Sequence, residues 1–128
     1  MTTQGEYAYI AGLFDGEGTI HISNQLYLAV RLRNTNKAIL KWIQSIYKMG
    51  HIYSDNRSPN KPCYSLELAS YQALSFLKPL LPYLKIKQDQ ATLAFQFQQG
   101  TTSGRDLTPS QKRIRETIFI EMSRLNHR

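Results

Sequence analysis

Two carboxylates, Asp15 and Glu17, stand between glycines in the stretch YIAGLFDGEGTIHIS, residues 9–23. The apolar residues 7–14 read as two turns of buried helix that end in the glycine-rich GEG, and a strand pattern follows from Thr19. Carboxylates have the wrong charge for a helix C-terminus, where the macrodipole favours cations. The sequence therefore indicates that something other than helix capping requires acids at this place.

Two glycines on the same predicted helix suggest what that requirement is. Gly12 and Gly16 are four residues apart, so they share one helical face and allow another backbone to approach closely. The chain carries one copy of this segment, so the second helix is expected from a second subunit related by a C2 axis. Each Glu17 then meets its symmetry mate, and two such carboxylates favour a hard divalent ion that neutralises their repulsion.

The pattern after residue 18 predicts two hairpins separated by a helix. Apolar and polar residues alternate in both hairpins, and turn residues join their strands. The predicted elements are a first hairpin from Thr19 to about Arg33 with Asn24-Gln25 as its turn, a helix over 37–48 capped by Asn36 and ended by Gly50, and strands 51–55 and 63–69 joined by NRSPNKP.

Three further helices are expected in the second half of the chain. The first is capped by Ser70 and closed by Pro79 and Pro82, and the second runs over about 87–98. A polar linker at 100–107 precedes a final helix over about 108–125, which opens with a capping box.

This order, helix, hairpin, helix, hairpin, helix and then two more helices, predicts an α+β fold with helices on one face of an antiparallel sheet. A chain of 128 residues is expected to form one domain, 1–128. Each strand needs only one apolar face, so the other face is left either to solvent or to a ligand. Hydrogen-bonding and cationic residues occupy that face: His21, Ser23, Tyr27, Arg31, Arg33, His51, Tyr53 and Ser65.

Composition and charge narrow the function class. The formal net charge is +7, and residues 31–61 alone hold seven basic residues against one acid, a distribution typical of a polyanion binder. No apolar run approaches the roughly 20 residues of a transmembrane helix, and the N-terminus lacks the features of a secretory signal. A single cysteine excludes an intramolecular disulfide. We therefore expect an intracellular protein that does not enter a membrane.

Residues 10–18, IAGLFDGEG, resemble the LAGLIDADG motif of the homing endonucleases. Ala11, Gly12 and Asp15 match the motif, whereas Gly16 replaces its alanine and Glu17 replaces its second aspartate. The predicted order of elements and the stretch LKPLLPYLKIKQDQATL, at 77–93, are also similar to the family. The resemblance covers about the first hundred residues.

The resemblance implies a homodimeric, site-specific double-strand DNA endonuclease that hydrolyses phosphodiester bonds with Mg²⁺, or with another divalent ion such as Mn²⁺ or Ca²⁺. Glu17 would bind the metal, with the Gly16 carbonyl as a further ligand. Lys87 matches a lysine near the cleaved phosphate, and Asn34 a polar residue that orders water near the metal. A solvated lysine at a helix start and a turn asparagine remain the alternatives for these two. Asp15 is expected to satisfy backbone donors near the helix interface, with direct metal binding as the alternative.

The resemblance also implies that the hairpins form a saddle-shaped sheet in the major groove of DNA. In that groove arginine can donate two hydrogen bonds to guanine, and glutamate can accept a hydrogen bond from the amino group of cytosine. The expected base-reading positions are His21, Ser23, Arg31, Arg33, His51, Tyr53, Ser65 and Glu67. Phosphate contacts are expected from Arg57, Lys61, Lys112, Arg113 and Arg115, although the final helix could instead be a solvated charged surface.

Two other functions fit parts of the sequence. A non-cleaving nucleic-acid-binding protein on the same scaffold, an intron maturase or a DNA-binding regulator, would need the basic face but no acid at Glu17, so the retained acid favours the enzyme. A basic ribosome-associated protein explains the charge but not the acidic, glycine-flanked helix end. RNA binding is possible but not indicated, and the sequence leaves open an organelle, mitochondrion or chloroplast, or a bacterial or phage cytoplasm.

Overall fold

The computed structural model describes residues 2–23, 27–55, 62–98 and 108–127. The expected Asn24-Gln25 turn, the linker at 100–107, and Arg57 and Lys61 lie outside these residues. The elements are α1 (Gln4–Glu17), β1 (Gly18–Ile22), β2 (Leu28–Asn34), α2 (Lys37–Tyr47), β3 (His51–Asp55), β4 (Cys63–Ala69), α3 (Tyr71–Leu77), a 3₁₀ segment (Lys78–Tyr83), α4 (Gln88–Gln98) and α5 (Pro109–Asn126). The predicted α+β class is confirmed.

Helix α1 is longer than the predicted 7–14. It begins with a capping box in which the Glu6 N–H donates to Thr3 Oγ1 at 3.1 Å and the Thr3 N–H donates to Glu6 Oε1 at 3.0 Å. At the other end it continues through Glu17. The acids of the motif therefore belong to the last turn of the helix, and not to a loop after it.

The four strands form one antiparallel sheet in the order β1-β2-β4-β3. The two hairpins meet where β2 pairs with β4, with Arg31 opposite Glu67 and Arg33 opposite Ser65. One face of the sheet packs under the helices, and its fully buried side chains are apolar. The buried side chains of that face are Ile20, Ile22, Leu28, Val30, Leu32, Leu66 and Leu68. The alternation predicted for the strands is present, and the opposite face is left outside the core.

Gly18 joins α1 directly to β1 without a loop. A Cβ at Gly18 would lie 2.1 Å from Cδ1 of Phe14, a fully buried side chain of the same helix. No side chain fits there, so the strand leaves the helix end in close contact with the core. This junction holds Glu17 at the point where α1 meets the edge of the sheet.

Several predicted helix ends differ in detail. Ser70 makes no side-chain cap and has a φ of 54°, and Pro79 and Pro82 lie inside the 3₁₀ segment after α3. Helix α2 ends at Tyr47, and its C-cap residue Lys48 takes the left-handed conformation with a φ of 57°, two residues before Gly50. Glycine is the usual residue in the left-handed conformation after a helix, so the sequence pointed to Gly50 as the end of α2. No sequence signal indicates that a lysine takes this conformation instead.

Helix α5 packs on α4 and on β1, and it buries Ile118, Met122 and Leu125. At its end the Asn126 Nδ2 donates to the carbonyl of Ile20 at 2.8 Å, so the helix is fixed to the edge strand. Among the helices of the described ranges, none combines the length and the apolar character needed to cross a membrane.

Candidate active site

The Asp15 side chain ties the end of α1 to the segment before α4. Its carboxylate accepts the backbone N–H of Lys85 at 2.7 Å and that of Lys87 at 3.0 Å, and the residue is only 7% exposed. These are backbone donors of the kind the sequence analysis expects for Asp15. Each bond is charge-assisted, so the pair fixes two segments that are about 70 residues apart in the chain.

Lys87 completes this contact with its side chain. Its Nζ donates to the backbone carbonyl of Asp15 at 3.1 Å, in the last turn of α1. A cation at this end of a helix interacts favourably with the macrodipole and with carbonyls that lack a helical partner. The half-buried lysine is therefore bound to the motif and is not a solvated lysine at a helix start.

We expect Asp15→Asn to lower the free energy of unfolding by about 1.5–3 kcal/mol, because the amide loses the charge and one of two acceptors for buried N–H groups. Urea denaturation followed by circular dichroism measures this. The matched control is Asp89→Asn in the exposed first turn of α4, where the loss should stay below about 1 kcal/mol. Equal losses at the two positions would contradict the anchoring role.

Glu17 opens onto a cavity of about 570 Å³ between the end of α1 and the ends of β2 and β4. Its lining residues are Gly16, Glu17, Gly18, Thr19, Arg33, Asn34, Thr35 and Cys63. Glu17 is exposed, and within the described part of the chain no hydrogen bond or ion pair engages its carboxylate. An acid left unengaged beside backbone carbonyls is available to a cation.

Asn34 shares this cavity with Glu17, as the resemblance implies, but its side chain already has a local role. The Asn34 Oδ1 accepts the N–H of Asn36 at 2.8 Å, which holds the turn before α2. Asn36 in turn caps α2 through the N–H of Ile39. The turn role that the sequence left open for Asn34 is thus present.

Lys87 lies in a different cavity, of about 280 Å³, on the other side of the Gly18-Thr19 junction. This cavity is lined by Gly18, Thr19, Ile86, Lys87, Gln90, Leu125 and Asn126. Among the described residues, Gly18 and Thr19 are the ones that line both cavities, so Lys87 and Glu17 lie on opposite sides of this shared wall. Sequence reasoning missed Gln90 and Asn126, since nothing local indicates that the end of α5 reaches β1.

A closed metal site is absent from the described residues, where no three His, Cys, Asp or Glu side chains are grouped to hold an ion. Mg²⁺ is often bound by only one or two protein carboxylates, with waters and substrate phosphates completing its shell. A single exposed Glu17 next to the Gly16 carbonyl fits that kind of site. The donor set is suited to an ion whose remaining ligands come from outside this chain.

The outer face of the sheet carries most of the predicted DNA-binding side chains. Tyr27 and Tyr53 are the most exposed of its aromatic residues, at 63% and 50%, and the His51 ring contacts that of Tyr53 in a tilted arrangement, with ring centroids 4.3 Å apart and an interplanar angle of 56°. His21 is exposed on β1, and Arg33 reaches the Glu17 cavity. Lys112 and Arg113 are exposed on α5. These residues remain accessible to a ligand.

Two of the predicted contacts do not fit the structure. Arg115 is only 7% exposed: its Nη2 donates to Gln98 Oε1 at 3.0 Å and its guanidinium lies 4.0 Å from the centroid of the Phe97 ring, so it packs between α4 and α5 and does not face phosphates. Ser65 is 5% exposed and donates to Glu67. Ser23 is half-buried and its Oγ accepts the N–H of Tyr27 at 3.1 Å, so its contact with a base stays a prediction.

Known proteins share this architecture. The homing endonuclease I-CvuI, crystallised with the I-CreI target and Mg, has a TM-score of 0.81 and 24% identity over 95% of this chain and 82% of its own. The archaeal intron-encoded homing endonuclease I-Vdi141I, complexed with DNA, has a TM-score of 0.79 and 16% identity over 94% of this chain and 84% of its own. The meganuclease I-AabMI, bound to uncleaved DNA, has a TM-score of 0.71 and 19% identity over 88% of this chain but only 43% of its own. Residues 5–80 match the LAGLIDADG-like domain. Since that match covers more than half of the sequence, the chain belongs to the LAGLIDADG family.

Proposed function

We propose that this protein is a site-specific double-strand DNA endonuclease of the homing type, which acts as a homodimer with Mg²⁺ and consists of one domain. The observation that carries the proposal is the position of Glu17. Its exposed and unengaged carboxylate ends α1 at the edge of a polar sheet face, and the glycine face of the same helix is open beside it. A protein that only bound DNA would have no need of an acid there.

The open face of α1 supports the homodimer. Gly12 and Gly16 are exposed, and a Cβ built on either residue meets no atom of the described residues within 4 Å other than the backbone of α1. By contrast, Gly18 is fully packed by its own chain. The absence of side chains at Gly12 and Gly16 therefore serves no contact within the described part of the subunit, and it suits close approach of a second backbone.

The chemistry follows from the residues at the helix end. The Glu17 carboxylates of the two subunits and the Gly16 carbonyl would hold the divalent ion, which when bound activates a water and stabilises charge on the phosphate. Lys87 places an ammonium against the carbonyl of Asp15, near the same helix end. From there it can offset negative charge on a DNA strand that approaches the Gly18-Thr19 junction.

Double-stranded DNA is the substrate that fits the rest of the surface. The net charge of +7 favours a polyanion, and the exposed sheet face presents arginine, histidine and tyrosine side chains to a groove. The structural neighbours I-CvuI and I-Vdi141I are described in complexes with DNA, which supports the same ligand here. A site of roughly palindromic sequence follows from two-fold symmetry.

Selection of cleaved sites from a randomised DNA library tests the proposal. With Mg²⁺ we expect recovery of one related set of sites, cut on both strands, and with EDTA we expect no cut products. Enriched binding to a defined site without any cleavage in Mg²⁺ or Mn²⁺ would instead identify the non-cleaving binder. Neither binding nor cleavage of any site would overturn both functions.

A further inference from the structure

One row of charged residues crosses the outer face of the sheet. Arg31 on β2 and His51 on β3 both lie opposite Glu67 on β4. Glu67 therefore stands between a cation and a histidine in the middle of the face that we assign to DNA. A carboxylate in this place is unexpected, because it would repel the phosphates of an approaching duplex unless it is paired.

The contacts of Glu67 show that it is paired on its own sheet. Its Oε2 lies 3.5 Å from Nε of Arg31, and the same atom accepts a hydrogen bond from Ser65 Oγ at 3.3 Å. Ser65 is 5% exposed, so its hydroxyl acts as a buried support for the carboxylate. The Glu67 carboxylate is thus bound by Ser65 on its own strand and by Arg31 on the neighbouring strand β2.

This geometry separates the roles of the two charged residues. A glutamate that reads cytosine must offer a carboxylate oxygen to the base. The Arg31 side chain is 44% exposed and that of Glu67 33%, so the arginine is the more accessible of the pair. The ion pair engages Nε of Arg31, whereas a bidentate contact with guanine O6 and N7 can be made by the two terminal Nη groups.

We propose that Arg31 reads a guanine in each half-site and that Glu67, supported by Ser65, is a positioning residue which holds the guanidinium for that contact. The inference rests on the proposed function, because it names a base in the DNA site. It also changes the role that the sequence suggested for Glu67, from a reader of cytosine to a partner of Arg31. Pre-ordering of the arginine lowers the entropy lost on binding.

The test is the base preference of each variant, measured by selection of bound duplexes from a library of half-sites. For the unmodified protein we expect guanine at one position of each half-site to be favoured at least about tenfold. Arg31→Ala and Arg31→Lys should both remove this preference, because lysine keeps the charge but cannot make the bidentate contact. Glu67→Gln should weaken the preference at the same position.

The double variant separates the two roles of Glu67. If Glu67 acts through Arg31, then Arg31→Ala with Glu67→Gln should show no more loss than Arg31→Ala alone. The matched control is the exposed ion pair between Arg124 and Glu121 on α5, which is not on the outer face of the sheet. Arg124→Ala and Glu121→Gln should leave the base profile unchanged, and circular dichroism confirms that each variant is folded.

Other outcomes would overturn the inference. A loss of cytosine preference at a different position in Glu67→Gln, additive with Arg31→Ala, would show that Glu67 reads a base directly. An unchanged profile in Arg31→Ala would remove Arg31 as a reader, while the proposed function would stand. A protein that selects no sequence at all would overturn the proposed function and this inference with it.

Discussion

Glu17→Gln should abolish Mg²⁺-dependent double-strand cleavage and leave DNA binding within a few fold of the unmodified protein. Glutamine keeps the size of the side chain and one oxygen, but it removes the charge that a divalent ion requires. Loss of one ligand from each subunit should lower the cleavage rate at least about 100-fold. Plasmid linearisation with limiting enzyme measures the rate, and a mobility-shift assay measures the affinity.

Two further variants sharpen this experiment. Glu17→Asp restores the acid of the family motif and should retain Mg²⁺-dependent cleavage. Glu116→Gln removes an exposed acid from α5, far along the chain from the motif, and should leave the rate unchanged. Cleavage by Glu17→Gln at the normal rate would remove Glu17 from the metal site, and with it the central step of the proposal.

Gly12→Val should convert the protein from a dimer to a folded monomer and abolish cleavage. Beyond the backbone of α1 itself, a Cβ at Gly12 meets no atom of the described residues within 4 Å, and valine has a better helix propensity than glycine, so α1 itself is not weakened. The branched side chain would instead keep two α1 helices apart at the proposed axis. Sedimentation equilibrium should show the mass of one chain, 14.8 kDa, in place of twice that value.

The control for this variant places the same side chain on another exposed helix face. Thr92→Val on α4 should remain dimeric and active, because Thr92 is exposed and its hydroxyl contacts only the carbonyl of Gln88 in its own helix. A dimer of Gly12→Val with full activity would show that the α1 face is not the interface. An unmodified protein that sediments as a monomer would have the same consequence.

The sheet could be predicted from the sequence because strand alternation is a local signal. The residues from 28 to 32 alternate between core and surface as their polarity indicates, and so do those from 66 to 69, whereas Ser65 is buried despite its polarity. The start of α1 was missed because its first turn has no apolar stripe, and it depends on the reciprocal bonds of Thr3 and Glu6. A threonine followed three residues later by glutamate does predict a helix start, but only if the residues before the apolar run are searched for this pair.

The candidate site was predictable only in part. The motif pointed to Glu17 and Asp15 by residue type, but the backbone partners of Asp15 are 70 and 72 residues away, and no local pattern indicates them. In the same way, the pairing of Arg31 with Glu67 depends on β2 lying next to β4, which are not consecutive strands. Arg115 looked like a surface cation because its burial against Phe97 needs the packing of α5 on α4.

The bonds of the Asp15 carboxylate to the backbone at Lys85 and Lys87 have a mechanical consequence. They join the end of α1 to the segment just before α4, so these two parts of the chain are expected to move together. A redesign that tilts α1 to accommodate a different partner subunit is therefore expected to displace the Lys87 ammonium as well. Engineers who wish to alter pairing without disturbing that cation should vary the first turns of α1, near Gly5, and leave its last turn untouched.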